Sequence, residues 1–129
     1  MTPTPGLTGE ATTRVDHTNT AASLGSGLVP VYGTPALIAL LELAAVHAVA
    51  KHLPPGSTSV GTHLDVRHLA ATPLGMSVRA TATLTQVDGR RLTFAVEAYD
   101  ETEKIGEGSH TRVIVDAARF VQRTEAKLR

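Results

Sequence analysis

Between Gly33 and the paired prolines Pro54-Pro55 runs the one stretch made of strong helix formers from end to end, Thr34-Pro35-Ala36-Leu37-Ile38-Ala39-Leu40-Leu41-Glu42-Leu43-Ala44-Ala45-Val46-His47-Ala48-Val49-Ala50. Nothing else in the chain constrains the fold as much. Thr34 is placed as an N-cap for the free backbone N–H groups, Pro35 suits the first helical position, and the prolines stop the helix near Leu53. About eighteen residues make a rod roughly 27 Å long, enough to cross a small domain. Leu37, Ile38, Leu40, Leu41, Leu43, Val46 and Val49 point in nearly every direction, so the expected helix is wrapped by the rest of the chain. Among them stands one carboxylate, Glu42. A carboxylate stripped of water takes a hydrogen-bonded partner or a raised pKa.

The 129 residues amount to one domain with room for a real core. Twelve basic residues balance twelve acidic ones and only 3% are aromatic, so the basic field and stacking rings of a nucleic-acid binder are missing. Without cysteine there are no disulfides or thiolate zinc sites. Met1 to Glu10 has no basic segment followed by an apolar run, so no signal peptide is read there and a cytoplasmic location is expected. The longest unbroken apolar run in the helix ends at Glu42, short of a membrane span. Neither nucleic acid nor membrane is an expected partner.

Along the chain, residues 1–10 are expected to form a flexible tail and residues 11–129 a single domain. Ala11 to Thr18 reads as a weak first strand. The small-residue loop from Thr18 to Gly33 has the length and position of a lid or binding loop. After the helix the period changes from 3.6 to 2. Val60, Thr62, Leu64, Val66 and His68 share one strand face, and Gly61, His63, Asp65, Arg67 and Leu69 share the other. Met76, Val78, Ala80, Ala82 and Leu84 alternate with polar residues in the clearest half-buried strand. Asp88-Gly89 then makes a hairpin turn, and Leu92, Phe94, Val96 and Ala98 mark the returning strand. A last strand spans Lys104 to Val115, where Gly106 and Gly108 signal a bulge or the close approach of another backbone. Asp116 caps a short helix through Lys127.

One strand, a long helix and four strands with short turns define an α+β architecture, an antiparallel sheet wrapped around a central helix. This is the hotdog arrangement. Open edge strands favour a homodimer as the minimum assembly, which can pair further into a tetramer.

Glu42 is either a catalytic carboxylate or a flank residue facing Lys51, His47 or solvent. His68 is either a satisfied core histidine or, on the face that covers the helix, a partner for Glu42 in acyl-transfer chemistry. Thr34 caps the helix and stands where free N–H groups favour developing negative charge. His47 with His52 and His63 with His68 are five apart and share no ligating face, so no metal is expected. Gly106-Glu107-Gly108 lacks the dinucleotide fingerprint. Arg90, Arg91, Arg112 and the basic C-terminal end with Arg119, Arg123, Lys127 and Arg129 suit either a phosphate or, for most of them, a solvated face.

Taken together, Val31-Tyr32-Gly33-Thr34, Glu42, His68, Ala70-Ala71-Thr72-Pro73-Leu74-Gly75, Val87-Asp88-Gly89-Arg90-Arg91-Leu92 and Ile105-Gly106-Glu107-Gly108-Ser109-His110-Thr111-Arg112 are similar to the fluoroacetyl-CoA thioesterase-like branch of the hotdog acyl-CoA thioesterases. The resemblance covers roughly Val31 to Phe120. It implies a homodimeric thioester hydrolase that releases a free acid and CoA, with CoA entering only as part of the substrate and no cofactor or metal. It also implies a Thr34, Glu42, His68 triad in which Glu42 is base or nucleophile. Gly61, Leu28 and Arg112 are the implied substrate contacts, Gly61 as a backbone donor. The branch carries a phenylalanine in its lid, whereas Ala21 to Pro30 has none and Leu28 takes a comparable place, so a small or medium acyl group is expected without fixing fluoroacetyl. CoA, pantetheine or a carrier protein could bear it. The alternatives are a non-catalytic acyl-CoA binder and a hotdog dehydratase or hydratase.

Overall fold

A computed structural model describes residues 2–129. Strand β1 (Thr8–Arg14) leads through a short helix α1 (Ala21–Leu24) to the long helix α2 (Thr34–Val49), and strands β2 (Ser57–His68), β3 (Ser77–Asp88), β4 (Arg91–Tyr99) and β5 (Lys104–Asp116) precede helix α3 (Ala117–Glu125). The five strands form one antiparallel sheet in the order β1-β3-β4-β5-β2. Strands β1 and β2 are its edges, and α2 lies across one face.

The period-2 reading of β3 and β4 holds: Val78, Ala80, Ala82 and Leu84 face Leu92, Phe94, Val96 and Ala98 in the core. Gly89, with φ of 61°, supplies the left-handed residue of the Asp88-Gly89 turn. Gly108 also behaves as expected, since a Cβ there would sit 2.0 Å from the Asp65 carbonyl oxygen. Asp116 accepts the Arg119 N–H at 3.0 Å and caps α3.

Four expectations are corrected. Strand β1 starts at Thr8, so three residues assigned to the tail belong to the sheet, and Gly6 and Leu7 are tied by backbone bonds to Leu84; Met1 lies outside the described residues. The N-cap of α2 is Gly33, with φ −80° and ψ 143°, and Thr34 opens the helix without capping it. A threonine hydroxyl that does not cap is free for other partners. The helix is not wrapped. Leu37, Leu40, Leu41, Ala44, Ala45, Ala48 and Val49 form one buried stripe, while Thr34, Ala39, Leu43 and His47 are exposed and Ile38, Glu42 and Val46 only half-buried. Through His52 it has the length and apolarity of a membrane span, yet its stripe is occupied by the sheet.

The fourth correction concerns β2. Its register against β5 shifts between Gly61 and His63, so Thr62 is a bulge that reverses the side-chain alternation. Ser59 and Gly61 before the bulge, and Leu64, Val66 and His68 after it, therefore point to the same side. Strict alternation had put Gly61 opposite His68.

Candidate active site

Two polar groups lie along the open side of α2. The first joins the start of the helix to the end of β2. Thr34 Oγ1 and His68 Nδ1 are 2.8 Å apart, a contact that orients the imidazole in either tautomer. His68 Nε2 is buried and meets no hydrogen-bond partner among the described residues. Burial holds the His68 pKa below the ordinary imidazole value, so the ring is neutral at pH 7. An open cavity lined by Ala21, Val31, Tyr32, Thr34, His68 and Ala70 lies here.

The second group is a network around Glu42. The Arg112 guanidinium donates from Nη1 to Glu42 Oε2 at 3.4 Å, from Nε to Ser59 Oγ at 2.8 Å and from Nη2 to the Ser59 carbonyl at 2.9 Å. Its Nη1 also lies 3.1 Å from His110 Nε2. Because arginine only donates, that nitrogen must accept, and His110 carries its proton on Nδ1, which donates to the His63 carbonyl at 2.8 Å. Burial, reinforced by the Arg112 charge, lowers the His110 pKa and keeps the ring neutral. Gly61 closes the network from the strand side, since a Cβ there would come within 2.6 Å of Glu42 Oε2. Only glycine lets the carboxylate lie against the β2 backbone.

The arrangement answers the question that Glu42 posed. Its protein partner is Arg112, not His68, Lys51 or His47, and the side chain keeps 37% of its surface open to solvent. Thr34 and Glu42 are separated by about 12 Å of helix rise, and Gly61 and His68 by roughly 20 Å of strand. Within one chain, Thr34 meets His68 and Glu42 meets Gly61 and Arg112, but the two pairs stay apart. Leu28 is 97% exposed. Arg112, expected at the substrate or on a solvated face, is buried and spends its donors on the protein. His110 was assigned no role by the sequence, although its place two residues from Arg112 on one strand put both on the same face. Among the described residues no cluster of three potential ligands could hold a metal ion.

The fold is shared with solved hotdog proteins. A structure of the fluoroacetyl-CoA thioesterase superposes with a TM-score of 0.92 at 33% identity, covering 98% of each chain. A thioesterase-superfamily protein from Thermus thermophilus superposes at 0.88 with 32% identity, covering 99% of this chain and 95% of that one. Fold and site thus define a thioester hydrolase of the hotdog class. The family model described as fluoroacetyl-CoA-specific thioesterase matches residues 15–118, and the fluoroacetyl-CoA thioesterase of Streptantibioticus cattleyicolor is 41% identical over 97 residues, 75% of this chain and 70% of that protein. The chain belongs to the fluoroacetyl-CoA-specific thioesterase family.

Proposed function

We propose that the protein is a homodimer that hydrolyses a small or medium acyl-CoA thioester, with each active site shared between two protomers. The observation that carries this reading is the division of the site into Thr34 with His68 and Glu42 with Gly61 and Arg112, set apart along an edge strand. A two-fold axis through the free edge of β2, near Leu64 and Asp65, would set Gly61 of each protomer opposite His68 of the other, because an isologous contact is reciprocal. It would also cover Leu43 and Leu64, which are 44% and 38% exposed in the single chain, and give the open side of α2 the second wall that its all-round apolarity demands.

In such a site the thioester carbonyl lies between Glu42 and the histidine. Arg112 holds the carboxylate at the Gly61 backbone. Glu42 takes a proton from the water that adds to the carbonyl, or attacks the carbonyl itself to give a mixed anhydride that water then hydrolyses; by either route the C–S bond breaks, CoA leaves as the thiol and the acyl group as the free acid. Thr34 fixes the imidazole, whose unpartnered Nε2 exchanges a proton with the attacking water or the departing sulfur. The Gly61 N–H supports the developing oxyanion. Membership of a thioesterase family favours this chemistry over a silent acyl-CoA binder or a hydratase. With no phenylalanine between Ala21 and Pro30, the acyl group need not be fluoroacetyl.

Free thiol released from a panel of acyl-CoAs tests the activity. Glu42→Gln should lower turnover about 10²–10⁴-fold with the fold retained, and wild-type rates in that variant would remove Glu42 from the mechanism. Mixing tests the sharing. Glu42→Gln and His68→Ala should each keep about a hundredth of the turnover or less, but random re-pairing of their protomers should restore about a quarter of the wild-type sites. No recovery in a verified mixed dimer means that each chain holds its whole site.

A further inference from the structure

Beyond the reacting centre, one cleft collects arginines that form no ion pair among the described residues. It lies where Pro54, the start of β2, the β3–β4 turn, the end of β5 and α3 meet, and its walls include Arg90, Arg119, Arg123, Phe120, Asp116 and Ser57. Arg119 and Arg123 are four apart, on one face of α3. Arg90 comes from the turn that also holds Gly89. Among the described residues none of the three arginines has a carboxylate within ion-pair distance; the cations that do are Arg67, Lys104 and Arg112. The one carboxylate in the wall, Asp116, accepts the Arg119 backbone N–H as the helix cap. Three guanidinium groups around one cleft repel each other unless an anion sits between them, and planar donors in that number suit phosphate oxygens. Phe120 adds a ring that is 39% exposed beside them, a flat apolar surface of the kind on which a base stacks.

The cleft also stands at a meaningful distance from Glu42. Ser57, Ser59 and Gly61 alternate onto the same side of β2 ahead of the bulge, so the Ser57 wall lies about 13 Å from Gly61 along the strand. An extended pantetheine arm bridges a gap of that order between a thioester and its phosphates. Resting on the acyl-CoA reading above, we infer that this cleft takes the phosphorylated adenosine end of CoA, with Arg90, Arg119 and Arg123 on the phosphates and Phe120 against the adenine. The site then selects CoA over a shorter pantetheine thioester.

The test uses the full chain and two readouts. The Arg119→Gln/Arg123→Gln double variant should raise KM for acyl-CoA by about 10–100-fold, leave kcat in place, and leave kcat/KM for the same acyl group on pantetheine unchanged. Arg90→Gln should act in the same sense. Calorimetric titration with adenosine 3′,5′-bisphosphate reads the cleft without turnover, and its affinity should fall in the same variants and with added salt. Equal losses on acyl-CoA and acyl-pantetheine, an unchanged KM for acyl-CoA, or preference for an acylated carrier protein would each overturn the assignment. If the wild type hydrolyses no thioester but binds the bisphosphate through these arginines, the acyl-CoA hydrolase reading fails and the nucleotide site stands.

Discussion

The two sides of helix α2 are made of similar residues and do opposite things. On the closed side Leu37, Leu41, Ala44, Ala45 and Ala48 are almost fully buried against the sheet, and β1 comes so close that a Cβ at Gly9 would stand 2.2 Å from the Ala44 carbonyl oxygen and 2.3 Å from the Ala48 nitrogen. On the open side Thr34, Ile38, Glu42, Leu43 and Val46 remain at least partly accessible and include the groups proposed to carry chemistry. Packing inside one chain is finished on the first side and unfinished on the second. One stripe anchors the helix on the sheet, and the other is the face on which the proposed partner and substrate would meet.

Substitutions should keep that division, and the largest effect belongs to the closed side. Gly9→Val has no room, because the obstruction is helix backbone, which cannot move aside as a flexible side chain would. A loss of more than about 4 kcal/mol is expected, read as a fall in urea midpoint or as no soluble protein. A variant of wild-type stability would show that β1 and α2 are not in contact. Next comes Arg112→Met, which leaves Glu42 without its cation and Ser59 without its donor. Breaking a buried pair costs about 3–5 kcal/mol, and because the Glu42 side chain is 37% exposed, the lower end, about 3 kcal/mol, is expected by urea denaturation. Turnover should fall with it, since Glu42 loses its position. Arg112→Lys should not restore turnover, because one ammonium cannot reach Ser59, His110 and Glu42 together.

His68→Ala should show the converse pattern, about a 10²-fold loss of turnover, equivalent to roughly 2.7 kcal/mol of barrier, with little change in the urea midpoint. His63→Ala is the control. It gives only its carbonyl to His110, and the backbone survives the substitution. Equal losses for the two would mean that the β2 register is wrong.

Period and composition made much of this legible, and each failure has a local cause. The alternation of β3 and β4 is a simple period of two, so their buried faces could be read directly. Glu42 stood out as the only charge in an apolar helix, and His68 as a histidine on an inward face. A bulge inserts one residue without any compositional mark, so Thr62 reversed the parity of Ser59 and Gly61 unseen. Thr34 and Gly33 compete for the N-cap one residue apart, a distinction that depends on backbone angles. Arg112 lies 70 residues from Glu42, and only strand register brings them together. The error about the wrapped helix is the most instructive, because apolar residues all round α2 predict a second wall, and only the proposed dimer would supply it.

The smallest effect refines the comparison through pH. His110 is fully buried and neutral in the folded protein, its pKa held below the ordinary 6.5 by burial first and by Arg112 second, while His63 backbone and Glu42 act the other way. In the unfolded chain the ring regains its ordinary value, so below about pH 6.5 the unfolded state binds more protons and stability rises with pH. Stability is therefore complete above that value and declines as the pH falls below it, until the folded ring itself protonates. One group contributes at most about 1.4 kcal/mol per pH unit. His110→Gln, which keeps an acceptor near Arg112 but cannot titrate, should be somewhat less stable at pH 8 and show a flatter acid limb between pH values of about 6.5 and 5. His68 is shifted in the same direction by burial but sits at the mouth of the open cavity, so His68→Gln should flatten the limb less. If His68 carried the larger share, the accessible pair Thr34–His68, and not the buried network behind Glu42, would set the acid limb.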